Sequence, residues 1–383
     1  MENSLTKLNS IKQSLAAKFH ERENEVEALL LAILARQHIL LIGPAGTAKS
    51  ALAIETAKSL QGTSYFQWLL TRFSTPEELF GPLSLQDLEQ GVYKRNTKNK
   101  MPEAHIVFLD ELFKANSAIL NSLLTIINER IFYNSAIPAQ VPLMTVIGAS
   151  NEFPEEGEGL DALYDRFLLR FEIGYLVEDQ HFIAMMKDLQ KPGQLPTLTM
   201  DELLHLQQLT NDIQVGEDIY MAMSNIRREL RDEGIQPSDR RFKQALSILQ
   251  ARALIHNRQA VSVDDLSILE NVLWDTVEQK ETVSITVRRH AQDTVIQMLD
   301  AIQNEANEIY HSILRDNSVE AGFEATEKMK ALEAELSELK KCNGDRDGKI
   351  AGLLVKVKAL HQDILNTILE PMYFDGPQAK KRP

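Results

Sequence analysis

The stretch Ile39-Leu40-Leu41-Ile42-Gly43-Pro44-Ala45-Gly46-Thr47-Ala48-Lys49-Ser50 carries the first chemistry this chain offers. Four apolar residues predict a buried strand, a run of small residues predicts a tight turn, and Lys49-Ser50 opens a helix expected over Ala51–Leu60. Such a layout suits phosphate. Backbone N–H groups from Gly43 through Ala51 can close around phosphate oxygens, and the helix N-terminus adds donors and partial positive charge. Lys49 is placed to reach the β- and γ-phosphates of a nucleotide, and the Ser50 hydroxyl to ligate Mg²⁺. The strict pattern has Gly where Ala48 stands; a methyl group there calls for ordinary φ and tighter packing.

Three further places complete a hydrolytic constellation. His105-Ile106-Val107-Phe108-Leu109-Asp110-Glu111 reads as a strand buried on both faces with two carboxylates at its C-terminal end, where open α/β sheets bind ligands. Successive strand residues point opposite ways, so Asp110 can hold Mg²⁺ while Glu111 orients or deprotonates water. The ordinary alternative is two acids capping the next helix. Met144 to Glu152 reads as a third buried strand, and Asn151 at its end can hold the attacking water or sense the γ-phosphate; an Asn there is otherwise a turn former. In Leu160–Phe171, Arg166 or Arg170 can act as an arginine finger, against the ordinary reading of an Asp165–Arg166 surface pair. A finger so placed serves a neighbouring subunit, which requires a ring or filament. Finally, Ser238-Asp239-Arg240-Arg241 puts arginines at a helix start, misplaced for the helix dipole unless one faces an anion.

The elements that must position these residues follow in order. Residues 1–37 read as two helices, the second (Ala28–Ala35) almost wholly apolar. Polar groups at 21–24 either line a base pocket or solvate a helix start. Tyr65–Leu70 is a strand. Ser74 or Thr75 caps a helix whose first position is Pro76. Leu85–Lys100 is read as a hairpin arm carrying Lys94, Arg95, Lys98 and Lys100, facing either solvent or a substrate. Leu112–Glu129 is an amphipathic helix, and Ile131–Asn134 with Val141–Leu143 a second hairpin. Gly174 is a hinge to an all-α module with helices near 178–190, 199–210, 216–232, 238–256 and 262–275. A long helical pattern covers 279–315. Met329, Leu332, Leu336 and Leu339 keep heptad spacing. After a turn at 342–348 a returning helix carries Ile350 to Ile368, predicting a helical hairpin packed on the long helix or projecting as a coiled-coil arm.

The expected division is therefore an α/β nucleotide-binding core over 1–175, an all-α lid over 176–278, a helical bundle or arm over 279–371, and a disordered tail over 372–383 with Lys380, Lys381 and Arg382. The chain has 383 residues, 44% of them apolar and 25% charged, as in soluble globular proteins. No apolar run approaches a membrane span and no signal-peptide core precedes the first helix, so a cytoplasmic location is expected. One cysteine, Cys342, excludes an intramolecular disulfide framework and a cysteine metal cluster. A net charge of −14 makes nucleic acid an improbable partner.

Gly43–Ser50, Leu70–Ser84, Ile106–Glu111, Leu120–Arg130 and Leu163–Arg170, in this order and spacing, resemble the MoxR family of AAA+ ATPases, most closely its RavA branch. The resemblance spans about residues 10–275, and Ala48 is usual in that branch. It implies an AAA+ core with a central parallel sheet and helical lid, ATP and Mg²⁺, a homo-hexameric ring, chaperone-like remodelling of a protein complex, and a von Willebrand factor A (vWA) partner. By motif position it favours Arg166 as finger and Arg240 as lid sensor. One departure stands out: RavA-type proteins carry a small β-rich domain that binds a lysine decarboxylase, and the junctions near 315–322 and 342–348 are too short for it. Competing functions are a nucleotide-gated scaffold with slow hydrolysis and a metal-chelatase-like motor subunit. The client stays unidentified.

Overall fold

The computed structural model describes residues 2–135, 137–154, 160–187, 195–291, 294–315, 319–343 and 349–374. It divides into two compact units, 1–291 and 292–383.

In the first unit, α1 (Glu2–Lys18) and α2 (Glu23–Leu34) precede β1 (Ile39–Ile42), and α3 (Lys49–Lys58) follows it. A two-residue β2 (Leu60–Gln61) leads to β3 (Tyr65–Leu69), α4 (Pro76–Phe80) and α5 (Leu85–Leu88). Then come β4 (Ile106–Asp110), α6 (Ser117–Glu129), the hairpin β5 (Ile131–Asn134) and β6 (Ile137–Gln140), β7 (Thr145–Ser150), α7 (Asp161–Tyr164) and β8 (Leu169–Glu172). Five strands form one sheet in the order β3-β4-β7-β1-β8, every neighbouring pair parallel. The apolar runs behave as strands with both faces covered. Leu40, Ile42, Val107, Leu109 and Val146 enter one core cluster; Ile39, Leu41, Phe108, Ile147 and Ala149, their immediate neighbours, enter the other. α2 lies in the second of these with nine of its residues buried, as its composition predicts.

The helical region begins with α8 (Asp179–Lys187), then β9 (Leu198–Thr199), which pairs with β2, then α9 (Met200–Asp212), α10 (Glu217–Asp232) and α11 (Asp239–Ile255). A 3₁₀ run over Val263–Asn271 stands where a fifth α-helix was expected. α12 (Val277–Ala291) closes the unit. The boundary expected at 278 falls after 291 because Val283, Val287 and Ala291 are buried in the first unit's core.

Three local expectations are corrected. The Leu85–Lys100 hairpin arm is a short helix and turn: Ser84 Oγ accepts the Asp87 N–H, Gly91 turns at φ +76°, and a lone antiparallel bridge joins Leu83 to Arg95. The helix expected from Leu112 starts five residues later, because Glu111 is left-handed, Ala115 is extended and Asn116 caps Ile119 N–H. The hairpin's second strand is 137–140, earlier than 141–143.

In the second unit, α13 (Thr294–Arg315), α14 (Val319–Asn343) and α15 (Lys349–Phe374) share one core. Ile302, Ile309 and Ile313 meet Met329, Leu332 and Leu336 of the heptad stripe and Ile350, Val357 and Ile364 of the returning helix. All described residues here are helical. α14 continues through Cys342 and Asn343, where the 342–348 turn was expected to begin, and α15 through residues 372–374 of the tail expected to be disordered; residues 344–348 and 375–383 lie outside the described residues. No described helix is long and apolar enough to cross a membrane.

Candidate nucleotide site

β1, β4 and β7 lie side by side, so their C-terminal tips converge. The loop after β1 is shaped by close approach. Gly43 donates its N–H to Ser150 O at 3.0 Å, and a methyl group on it would collide with the Ile173 carbonyl oxygen. Thr47 Oγ1 donates to Pro44 O at 2.9 Å, and Gly46 has φ +84°. The expectation of ordinary φ at Ala48 is overturned: φ is 66°, ψ is 18°, and it is the N-cap of α3. Turning from the loop into the helix demands a left-handed residue, which costs Ala roughly 1–2 kcal/mol relative to Gly.

Lys49 lies 6% exposed and donates from Nζ to Gly43 O (2.5 Å), Pro44 O (2.9 Å) and Asn151 Oδ1 (3.2 Å). Burial pushes its ammonium below the usual lysine range, while the Asp110 and Glu111 carboxylates pull the other way. Asn151 Nδ2 donates to Glu111 Oε1 at 2.5 Å, and Glu111 Oε2 pairs with Lys114 at 3.2 Å. The chain Lys49–Asn151–Glu111 thus ties together residues from three strand tips. Glu111 is separated from Asp110 by a left-handed turn (φ 53°), not by strand alternation as expected, and its N–H bonds Asp110 Oδ1 at 3.0 Å. Strain of this kind is found where a side chain must be aimed.

Two cavities flank this chain. One, of about 330 Å³, is lined by Arg72, Glu111, Lys114, Asn116, Ser150 and Glu152 among others. The other, of about 600 Å³, has Gly46, Thr47, Ala48 and Ala51 on one side and Phe19, His20, Arg22, Tyr175, Phe182 and Met185 on the other. Arg22 is the one residue of 21–24 to line it. Sequence reading missed Lys114, though its spacing of three from Glu111 was a signal. It also missed the residues after β8, which carry none.

The arginines separate by burial. Arg170 is wholly buried, bonded to the Trp274 carbonyl, to Asp275 Oδ1 (2.8 Å) and to Tyr164 O (3.2 Å), with its guanidinium 3.8 Å from the Tyr164 ring centre. Arg241 is 2% exposed and bonds Val272 O (2.8 Å), Leu168 O and Asp165 (3.2 Å to Oδ1). Both are structural cations. Arg166 pairs with Asp165 at 3.1 Å in the loop that enters β8. Arg240 is exposed and donates to Asn128 Oδ1 at 3.2 Å, near the end of α6 where Arg130 bonds Arg36 O ahead of β1. Arg166 and Arg240 therefore lie toward the edge where β1 and β8 begin, and the phosphate loop lies beyond the opposite edge. Neither lines a cavity described above, so the expectation that Arg240 faces the nucleotide is not met within one chain.

An open parallel sheet with a glycine-rich loop after an inner strand, an acidic strand tip one strand removed from it and a helical lid is the plan of an AAA+ nucleotide-binding protein. The comparisons specify it further. Residues 6–211 match the model described as the MoxR domain of MoxR–vWA–β-propeller ternary systems, and 218–287 match an AAA lid domain. The chain is 37% identical to the uncharacterised protein MJ0079 of Methanocaldococcus jannaschii over 81% of this chain and 82% of that protein. It is 27% identical to chaperone MoxR1 of Mycobacterium tuberculosis over 48% of this chain and 49% of that one. Its fold matches a crystallised candidate ATPase of Cytophaga hutchinsonii, with TM-score 0.61 and 19% identity, over 76% of this chain and 96% of the other. The chain belongs to the MoxR family of AAA+ ATPases.

Proposed function

We propose that the chain is an Mg²⁺-dependent, ATP-hydrolysing motor that works as a cytoplasmic homo-hexamer and remodels a protein complex together with a vWA protein, with a β-propeller protein as the third member. The observation that carries the catalytic part is the hydrogen-bonded chain Lys49–Asn151–Glu111 at the mouth of the phosphate loop. Main-chain N–H groups from Ala45 to Ala51 hold the phosphates. Lys49 exchanges its carbonyl partners for β- and γ-phosphate oxygens. Asn151, bonded to both Lys49 and Glu111, positions the attacking water, and Glu111 takes its proton. A hydroxyl and a carboxylate are the hard oxygen donors magnesium prefers, so Ser50 and Asp110 would hold it, where its charge offsets that of the phosphates. Arg166 acts in trans as the finger, and Arg240, on the same side of the sheet, also faces the neighbour's nucleotide.

The test is Glu111→Gln, which keeps shape and removes the base. ATP binding should persist while turnover falls by at least about a hundredfold. Parental turnover in this variant would remove Glu111 from the reaction.

A further inference from the structure

The loop between α1 and α2 meets the segment following β8 at the larger cavity, and one carboxylate joins them. Glu21 has φ 58°, which aims its side chain across the gap. It accepts the N–H groups of Val177 (2.8 Å) and Glu178 (2.9 Å) and pairs with His181 Nδ1 at 3.0 Å. The Val177 and Glu178 amides, with help from His181, hold this carboxylate down at about 2. The His181 ring stacks on His20, 5.3 Å between centres and 6° between planes. α8, which follows at once, has no buried residue of its own. Even so, Phe182 and Met185 of α8, with Tyr175, form one wall of the cavity beside Thr47 and Ala48. A helix with no packed face is thus moored by polar contacts, and Glu21 supplies three of them.

We propose that Glu21 is a positioning residue for the nucleotide: it seats the Tyr175–Met185 wall against which base and ribose pack, without touching the phosphates. The role rests on the phosphate-loop reading above. The wall is aromatic and apolar, as a planar heterocycle requires. Without its mooring the segment occupies the seated position only part of the time, and apparent affinity falls by that fraction. The catalytic chain Lys49–Asn151–Glu111 is left as it was.

Isothermal titration of the full chain with ATP and, separately, with inorganic tripolyphosphate tests this. Tripolyphosphate uses the phosphate loop but has no base or ribose. Glu21→Ala should weaken ATP about tenfold and leave tripolyphosphate within about twofold, and steady-state assays should show a raised KM with kcat nearly constant. Glu21→Gln, which keeps an acceptor but loses the charge, should fall between; it decides the matter if Glu21→Ala melts early. Unchanged ATP affinity, or equal loss for both ligands, overturns the proposal. A parental chain that binds neither ligand overturns the nucleotide reading, and this role with it.

Discussion

At the scale of single residues, the positive-φ positions do the aiming. Ala48 pays for the sharp entry into α3 with a left-handed backbone. Relief of roughly 1–2 kcal/mol exceeds the 0.4–1 kcal/mol by which Gly favours the unfolded chain, so Ala48→Gly should stabilise the protein by about 0.5–1 kcal/mol in chemical denaturation. ATP affinity should be little altered. The arginines give a sharper contrast. Arg170→Ala removes the nearer of the two guanidinium groups at Asp275, strips the Tyr164 and Trp274 carbonyls of their donor and empties a wholly buried site, and should cost about 3 kcal/mol or more in chemical denaturation. Arg166→Ala should leave the melting temperature nearly unchanged and abolish turnover. The meeting of Lys49, Asn151 and Glu111 was legible because an apolar run ending in a polar tip places that tip at the rim of a parallel sheet. The left-handed turns at Glu21 and Glu111 were not, since a non-glycine residue carries no mark of positive φ; at Ala48 the glycine of the strict pattern was the mark, and it was read as ordinary φ. Nor does an arginine announce whether it will be buried, and so Arg170 and Arg241 stayed open until their partners were seen.

At the scale of elements, the parallel sheet, the phosphate-loop helix and most lid helices could be read from apolar periodicity, and their strand tips converge. Misreadings cluster where side-chain capping overrides pattern, as at Ser84 and Asn116. One ion cluster fastens helices to each other: Glu27 of α2 meets Lys12 of α1 (2.5 Å), Arg252 of α11 (3.3 Å) and His256 (3.5 Å). Burial alone would raise the Glu27 carboxylate, but these partners outweigh it and hold it at about 2, against an ordinary 4.5. A depressed folded value stabilises above the unfolded one and is lost as pH falls. The contribution is on the order of 3 kcal/mol above pH about 4.5 and disappears toward pH about 2. Urea denaturation from pH 6 down to about 2 should show this slope, and Glu27→Gln should flatten it while lowering stability near neutrality.

At the scale of the whole molecule, the proposal that Arg166 serves a neighbouring chain has a consequence that single variants cannot reveal. Chains carrying Glu111→Gln keep their arginine, and chains carrying Arg166→Ala keep their water-activating carboxylate. Mixed in equal amounts, two inactive proteins should regain activity, up to about a quarter of the parental rate when neighbours assort at random. No recovery in a mixture that co-assembles would place Arg166 in its own chain's chemistry or in none.

Arg166 and Arg240 lie toward one rim of the sheet and the phosphate loop beyond the other. A protomer built this way is polar, like a plug with its socket on the far end. With the finger acting in trans as proposed, turnover would become a census of company: dilution should silence hydrolysis well before it unfolds the chain, and rate per chain should climb with protein concentration until every socket is filled.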